Sequence, residues 1–188
     1  MRPTDPRVER SRQAMLAAAR ELLLHHGPGA VTHQRVAEQA GVGRATVYRH
    51  WSRAEELLLA TMPGADLPYF RDPQSPVRTW LFGELRRLAD EMVQPEVAAV
   101  TLTLMHGALW DADIARQRDA SVANITERIG AALTLARASG EAVVAVDDAV
   151  AAAVLIGPLV YRTAMQTAPV PDQLLEAALD AVFDFKGA

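Results

Sequence analysis

The sequence predicts an all-α fold. Half of its 188 residues are hydrophobic but only 5% are aromatic, and alanine is abundant, a composition that suits helices better than sheets. Apolar residues recur at helical spacing in segment after segment, and proline or glycine separates these segments. The chain is long enough to bury a real core, either as one domain or as a small domain attached to a larger one.

Composition also excludes several classes of protein. The sequence has no cysteine, so it forms neither a disulfide framework nor a thiolate metal site. Every apolar run is interrupted by charge before it reaches the roughly 18 residues of a membrane span. The first residues, MRPTDPRVERSR, lack the apolar core of a secretory signal. We therefore expect a cytoplasmic protein with no membrane partner and no cofactor.

The net charge of −4 conceals an asymmetry along the chain. Residues 1–53 contain nine arginines and four acidic residues, a net charge of +5, whereas the remainder carries −9. A basic end and an acidic end on one chain fit a protein that meets DNA with one face only. The alternative on charge alone is two differently solvated surfaces.

The first helix is expected from about Val8 to His26, because Gly27-Pro28-Gly29 ends the helical pattern there. Glu21 and His25 are four residues apart on it, a spacing that fits a solvated contact better than a metal site. The basic residues 1–7 before the helix are either a disordered tail or an arm that reaches into a minor groove.

Residues 32–53, THQRVAEQAGVGRATVYRHWSR, predict two short helices joined by a tight turn. Thr32 is a good N-cap residue, and Gly41 ends the first helix where a left-handed residue is required. The second helix turns Val42 and Val47 inward. This arrangement is a helix-turn-helix, and its second helix carries arginines, hydroxyls and a phenol that suit phosphates and base edges.

This stretch resembles the N-terminal domain of the TetR family of transcriptional regulators, in one register without a gap. The matching positions are Thr32, Val36-Ala37, Ala40-Gly41-Val42, Thr46-Val47-Tyr48, His50-Trp51 and Glu55-Glu56-Leu57. The resemblance implies that Trp51 closes the small core. It also implies a DNA-facing set, to which our interpretation below adds Arg53: Thr32, Gln34, Arg35, Arg44, Thr46, Tyr48, Arg49 and His50.

Two positions depart from the family pattern. Gly43 stands where a serine cap is common, and Ala54 stands where many members have a lysine that touches the DNA backbone. In our interpretation Arg53 takes the role of that lysine. Ser52 and Glu55 are expected to form a capping box at the start of the fourth helix.

The chain divides after this motif. A short fourth helix, about 54–62, is followed by a proline-rich connector, 63–75. We therefore assign residues 1–53 to a DNA-binding helix-turn-helix domain and residues 54–75 to a connecting helix and linker. Residues 76–188 are assigned to a helical regulatory and dimerisation domain.

The third of these segments is expected to be helical to its end. Ser75-Pro76 supplies a cap and a first helical residue, and Gly157-Pro158 is expected to kink a later helix. The segment 96–110 is apolar on nearly every side, which predicts burial. The expected helices are 77–92, 96–110, 114–136, 147–166 and one that starts after Pro171.

The resemblance further implies that the last two helices form a homodimer. Such a dimer would set two recognition helices roughly 34 Å apart over a palindromic operator in double-stranded DNA. The alternative is that both helix faces belong to a monomer core.

Buried helices leave room for a pocket that takes a small hydrophobic effector. Its candidate lining residues, each of which has ordinary core packing as its alternative, are Trp80, Met105, His106, Trp110, Tyr161 and Met165.

An enzyme is not expected, because the sequence lacks a nucleophile motif, a phosphate loop and a histidine pair at ligand spacing. The one cluster worth naming is His106 with Asp111 and Asp113, and the two aspartates fit a helix end. The sequence thus predicts a sequence-specific DNA-binding transcriptional regulator, and the resemblance to the TetR family implies in particular a repressor released by a small hydrophobic ligand. The alternatives are a ligand-independent DNA-binding regulator and a helical interaction module.

Overall fold

A computed structural model of the chain describes residues 6–61, 67–144 and 146–185. The all-α prediction is confirmed. The helices are α1 Pro6–His26, α2 His33–Ala40, α3 Arg44–His50, α4 Ala54–Ala60, α5 Val77–Met92, α6 Pro95–Gly107, α7 Ala112–Ala138, α8 Asp148–Val160 and α9 Asp172–Val182. A 3-10 turn, Pro28–Ala30, precedes α2, and a π-helical turn, Tyr161–Met165, follows α8.

The chain forms two compact units. The N-terminal unit comprises residues 1–64 together with 99–115, and the C-terminal unit comprises residues 65–98 and 116–188. The segment 99–115 joins the first unit because Val100 and Ile114 are buried in the same apolar core as α1 to α4. The sequence-based assignment of 1–53, 54–75 and 76–188 concerns functional roles and stays a prediction.

The core of the N-terminal unit forms around the buried apolar residues of α1, which include Met15, Ala19 and Leu22. This helix packs against α2 and α4, and α2 packs against α3. Each short helix therefore contributes one or a few side chains to a shared core, and its remaining residues face solvent. The side chains of this core include Met15, Ala19, Leu22, Val36, Val47, Trp51, Leu57 and Leu58.

The C-terminal unit is centred on α8, which packs against α5 and α9. An apolar stripe along α5 is buried and consists of Val77, Leu81, Leu85, Leu88 and Met92. Leu155 and Leu159 of α8 are fully buried against the same core. By length and composition the apolar segment 148–165 could cross a bilayer, but one side of α8 is buried against α5 and α9 of this unit.

Two three-residue strands were not predicted. The strands β1, Ala142–Val144, and β2, Phe183–Phe185, pair antiparallel with Val143 opposite Asp184. The expectation that the chain is helical to its end is therefore wrong from residue 183 onward, within the described residues. Three residues are too few to show strand alternation, and the pairing partners lie 41 residues apart.

The expectation that α6 is buried all round is wrong. Val100 is buried, whereas Leu102 and Met105 are exposed. The helix ends at Gly107 rather than Trp110, and Trp110 is 79% exposed in the turn that follows. An apolar composition favours burial, but one chain of this size supplies covering side chains for only one side of the helix.

Helix α8 runs through Gly157-Pro158, where the sequence predicted a kink, and ends three residues beyond Gly157. Asp147 caps α8 as expected, since its carboxylate accepts the N–H of Val150 at 2.8 Å. Regular α-helix ends at Val160, and the π-helical turn replaces the expected run to Gln166. Pro158 lies inside α8 and has no N–H to donate, which weakens the α-helical ladder just before that turn.

The start of α5 is not capped by Ser75 as predicted. The carboxylate of Glu141, 64 residues further along, accepts the N–H of Val77 at 2.6 Å and the hydroxyl of Ser75 at 2.6 Å. These two hydrogen bonds favour the charged carboxylate and lower the pKa of Glu141. The helix therefore depends on a tertiary cap.

We predict that Glu141→Ala lowers the free energy of unfolding at pH 7 by about 0.5–1 kcal/mol, as loss of a partly exposed helix cap does. A lowered folded-state pKa contributes its stabilisation above the unfolded value of about 4.3 and loses it as the pH falls through the folded value. Urea unfolding measures the free energy of unfolding of the variant and of the parent protein at pH 7 and at pH 3. The difference in this free energy between the two proteins should be smaller at pH 3.

Glu127→Ala serves as the control, because Glu127 is an exposed glutamate of α7 in the same unit. The assignment of Glu141 as a cap fails if both variants lose the same stability, or if the loss in Glu141→Ala is unchanged at pH 3.

Candidate nucleic-acid interface

The turn between α2 and α3 has the geometry that its residue types predict. The hydroxyl of Thr32 accepts the N–H of Arg35 at 3.3 Å and caps α2. Gly41 ends α2 in the left-handed region with φ of 67°, where a side chain would be strained. The N–H of Val42 then bonds to the carbonyl of Ala37 at 3.0 Å. These bonds fix where α3 begins relative to α2.

Helix α3 presents one face to the core and the rest to solvent. Val47 is fully buried, whereas Arg44, Tyr48 and Arg49 are exposed. Gly43 precedes the helix and offers no side-chain cap, as its departure from the family pattern implied. The first-turn N–H groups of α3 are therefore not satisfied by a capping side chain.

The predicted DNA-facing residues lie at the surface of the N-terminal unit. Gln34, Arg35 and Arg53 are exposed with the three α3 residues, and Thr32, Thr46 and His50 are half-buried. None of the nine belongs to the buried core. The predicted role of each in DNA binding stays a prediction.

The exposed side chains of α3 are held by one another. The guanidinium of Arg44 donates to the Tyr48 hydroxyl at 3.0 Å and lies 5.2 Å from the centroid of the Tyr48 ring. Arg49 donates to the Thr46 hydroxyl at 3.1 Å. Both pairs follow the i, i+4 or i, i+3 spacing of one helix face. The donors and acceptors of α3 are thus partly ordered before any ligand arrives.

The start of α4 differs from the expected capping box. Glu56 takes the part predicted for Glu55, because its carboxylate accepts the N–H of Ser52 at 2.8 Å and that of Arg53 at 3.3 Å. Arg53 is the N-cap residue. Burial raises the pKa of Glu56, but the hydrogen bonds from Ser52 and Arg53 outweigh it, so the pKa lies below its usual value.

Arg53 also forms an ion pair with Asp111, which lies 58 residues further along in the turn between α6 and α7. Asp111 caps α7 through its other oxygen, which accepts the N–H of Asp113 at 2.8 Å and that of Ile114 at 3.0 Å. One carboxylate therefore holds the start of α7 and the candidate phosphate contact Arg53. Sequence reasoning missed this pair, since nothing in the local pattern links residues 53 and 111.

Helix α1 contributes residues that the sequence did not single out. Val8 and Ser11 line a surface cleft of about 380 Å³ with Thr46, Arg49 and His50. The guanidinium of Arg12 lies 5.8 Å from the centroid of the Trp51 ring. The start of α1 therefore borders α3. Of the arm considered at residues 1–7, residues 1–5 lie outside the described residues, and Pro6 and Arg7 belong to α1.

The six candidate ligand residues are not brought into one cavity of a single unit. Trp80 is half-buried in the C-terminal unit, where Tyr161 and Met165 are exposed. His106 lines a groove of about 400 Å³ with residues of α4, including Glu55 and Leu58. Met105 and Trp110 are exposed and do not line that groove. Their role as an effector pocket stays a prediction.

No metal centre accompanies these residues. Across residues 6–61, 67–144 and 146–185, no three His, Asp or Glu side chains come close enough to hold an ion. Glu21, which was considered with His25, instead accepts a hydrogen bond from Gln39 at 2.7 Å. That bond ties α1 to α2 across the surface.

Comparison with known proteins extends over most of the chain. Residues 15–61 match the family model described as bacterial regulatory proteins, tetR family. Residues 77–182 match the model described as tetracyclin repressor-like, C-terminal domain, which covers more than half of the chain.

Two HTH-type transcriptional regulators illustrate the likeness in sequence. Rv2250c of Mycobacterium tuberculosis is 26% identical over 166 residues, which cover 87% of this chain and 85% of that protein. YdeS of Bacillus subtilis is 43% identical over 54 residues, which cover 29% of this chain and only 27% of YdeS.

Solved structures agree with this fold. The TetR family transcription regulator SCO0332 superposes with a TM-score of 0.68 at 27% identity, covering 90% of this chain and 94% of that one. NalD, the secondary repressor of the MexAB-OprM multidrug efflux pump in Pseudomonas aeruginosa, has a TM-score of 0.66 at 19% identity, covering 98% and 100%. A SmeT–triclosan complex has the same TM-score at 19% identity, covering 95% and 93%.

Members of this family are transcriptional regulators rather than enzymes; they bind DNA and small-molecule effectors, act as dimers, and are typically soluble and cytoplasmic. The helix-turn-helix of residues 32–53 lies inside the first matched segment, and the helices α5 to α9 account for the second. The chain belongs to the TetR family of DNA-binding transcriptional regulators.

Proposed function

We propose that this protein is a homodimeric, cytoplasmic repressor that reads a palindromic operator with α2 and α3 and is released by a small hydrophobic ligand. The observation that carries the proposal is the surface of α3. Arg44, Tyr48 and Arg49 are exposed on a seven-residue helix whose inner side is anchored by the buried Val47. A short, rigidly seated helix with two arginines and a phenol suits a DNA groove.

The residue types suggest a division of labour. The guanidinium groups of Arg44 and Arg49 match the paired acceptors of guanine or a phosphate, and the Gln34 amide matches adenine. The hydroxyls of Thr46 and Tyr48 suit phosphate oxygens, which set the register of the protein on the duplex. The remaining proposed contacts come from the start of α2, with Thr32 and Arg35, and from the end of α3 and the residues after it, with His50 and Arg53.

The proposed dimer uses α8 and α9. Val150, Ala153 and Gly157 are exposed and lie three or four residues apart, so they form an apolar stripe along one side of α8. On α9, which packs against α8, Ala177 and Ala181 are also exposed. Small side chains allow close helix packing, and a C2 dimer would bring two copies of the stripe together.

The proposed effector is a small hydrophobic molecule bound by the regulatory helices of residues 76–188. NalD is a repressor of a multidrug efflux pump, and SmeT has been solved as a complex with triclosan; both share the fold of this chain. Within the C-terminal unit the candidate residues are Trp80, Tyr161 and Met165, large or polar side chains that suit such a ligand. Met105, His106 and Trp110 belong to the N-terminal unit and are separate candidates. A regulator that binds DNA without any effector remains the alternative.

Binding to DNA is the first test. The full chain is used to select duplexes from a randomised pool, and affinity for the selected duplex is then measured by fluorescence anisotropy across a salt series. We expect a palindromic sequence bound at least 1,000-fold more tightly than random duplex, with affinity falling steeply as salt rises. Equal affinity for selected and random duplexes would contradict the proposal.

We predict that Tyr48→Ala combined with Arg49→Ala weakens binding to the selected duplex about 100-fold, because each substitution removes a contact from α3. Arg137→Ala, which removes an exposed arginine of α7, is the charge-matched control and should bind normally. Circular dichroism and sedimentation verify that fold and dimer persist. An unchanged affinity in the double variant would remove α3 from the interface.

Asp111→Asn should strengthen DNA binding about two- to fivefold. The plot of log affinity against log salt concentration should become steeper by up to the slope of about one additional phosphate contact. The amide keeps the oxygen that caps α7 but carries no charge, so Glu56 remains as the carboxylate partner at Arg53 Nε and the terminal amino group released from Asp111 becomes available to a phosphate. Anisotropy titrations measure both quantities.

Asp119→Asn removes one charge elsewhere on α7, where Asp119 pairs with Arg118, and is the matched control. If Asp111→Asn weakens binding as Arg53→Ala does, the ion pair orients Arg53 for DNA instead of withholding it.

Ala153→Glu should convert the dimer to a monomer in analytical ultracentrifugation, since it places a charge in the centre of the α8 stripe. DNA affinity should fall with it, because one protomer engages only half of a palindrome. A dimer that persists in this variant would exclude the α8 stripe from the interface. Ala131→Glu, at an exposed alanine of α7, is the control.

A further inference from the structure

His33 is a buried histidine beside the proposed DNA-facing surface. The family resemblance did not assign a role to this residue. It is the first residue of α2 and is 7% exposed, whereas its neighbours Gln34 and Arg35 are exposed. Buried histidine side chains are normally held by specific partners, because the ring carries polar nitrogens on both sides. The partners of His33 both belong to the α3 segment.

The first partner is the carbonyl of Trp51. Nε2 of His33 lies 2.8 Å from this oxygen, at the residue that ends α3. A carbonyl accepts and never donates, so Nε2 is assigned as the protonated nitrogen. The bond joins the start of α2 to the end of α3.

The second partner is the ring of Tyr48. The two ring centroids are 3.9 Å apart, and the ring planes differ by 2°, which is a parallel stack. Tyr48 is 42% exposed, so the stack holds the ring of an otherwise surface side chain. The hydroxyl of the same tyrosine accepts from Arg44. His33, Tyr48 and Arg44 therefore form one contact chain from the core to the surface.

We propose that His33 is a positioning residue that fixes the Tyr48 ring, and through its hydroxyl the Arg44 guanidinium, in the orientation used for DNA. This inference rests on the function proposed above. An exposed tyrosine without the stack would sample several rotamers, and binding would then require ordering it again. His33 itself does not need to touch DNA for this effect.

Two substitutions separate the stack from the hydrogen bond. His33→Phe keeps a flat ring against Tyr48 but has no donor for Trp51. His33→Gln keeps a donor but has no ring. If His33 acts through the stack, the Phe variant retains DNA affinity and the Gln variant loses about three- to tenfold, the range expected for a stacked pair. A purely structural role through the hydrogen bond gives the opposite order.

The same substitutions are measured in a Tyr48→Ala background. With the ring gone, the Phe and Gln variants should bind the selected duplex equally, because His33 has nothing left to position. Thermal unfolding of each variant records any general loss of stability, which would act equally in both backgrounds. The proposal is overturned if His33→Gln binds as the parent protein does, or if its deficit persists without Tyr48.

A measurement without DNA keeps this inference separate from the proposed function. The chain has three tyrosines, Tyr48, Tyr69 and Tyr161, so ¹³C-tyrosine labelling gives a simple NMR spectrum. The ring signals of Tyr48 should move in His33→Gln and stay close to their parent positions in His33→Phe. The signals of Tyr69 and Tyr161 should not move in either variant. Unmoved Tyr48 signals in His33→Gln would overturn the proposal. If the parent protein selects no duplex, the proposed function is wrong. The Tyr48 signals still show, independently of DNA, whether His33 orients the tyrosine ring.

Discussion

The burial of Val47 in the core of the N-terminal unit is the constraint on which the candidate interface depends. Helix α3 has only seven residues and no side-chain cap at its start, so it has little stability of its own. Its orientation comes from Val47, which is fully buried with Val36 and Trp51 in one core. Because that side of α3 faces inward, Arg49 on the opposite side faces solvent, and Arg44 is exposed at the start of the helix. The arrangement of charge thus follows from the packing of apolar side chains.

Polar contacts add to the apolar core in fixing the positions of the residues around α3. Glu56 secures the start of α4, and Asp111 links Arg53 to the start of α7 within the same unit. His33 reaches the Tyr48 ring and the Trp51 carbonyl from the other side of the motif. Each contact involves a candidate DNA-facing residue, Arg53 or Tyr48, and a residue that is not itself such a candidate. Substitutions at such supporting positions should therefore change DNA affinity with little change in the contact surface itself.

Features encoded within a few residues could be predicted from the sequence, and features encoded over long distances could not. Thr32 and Gly41 mark the ends of α2 by local chemistry, and the α5 stripe follows helical spacing. The Glu141 cap and the Arg53–Asp111 pair join residues 64 and 58 positions apart, so no local pattern reveals them. His33 resembles an exposed polar residue in sequence, and only the fold brings Tyr48 over it. The exposure of α6 depends on how much surface a single chain can cover.

The most direct test of the central claim is hydroxyl-radical footprinting of the protein on its selected duplex. A dimer that places two copies of α3 in successive major grooves should protect two symmetric patches whose centres lie about one helical turn, or a small multiple of it, apart. The protected sugars should flank the conserved half-sites of the selected sequence. A single unsymmetric patch, or protection spread evenly along the duplex, would contradict an account in which paired helix-turn-helix motifs read a palindrome.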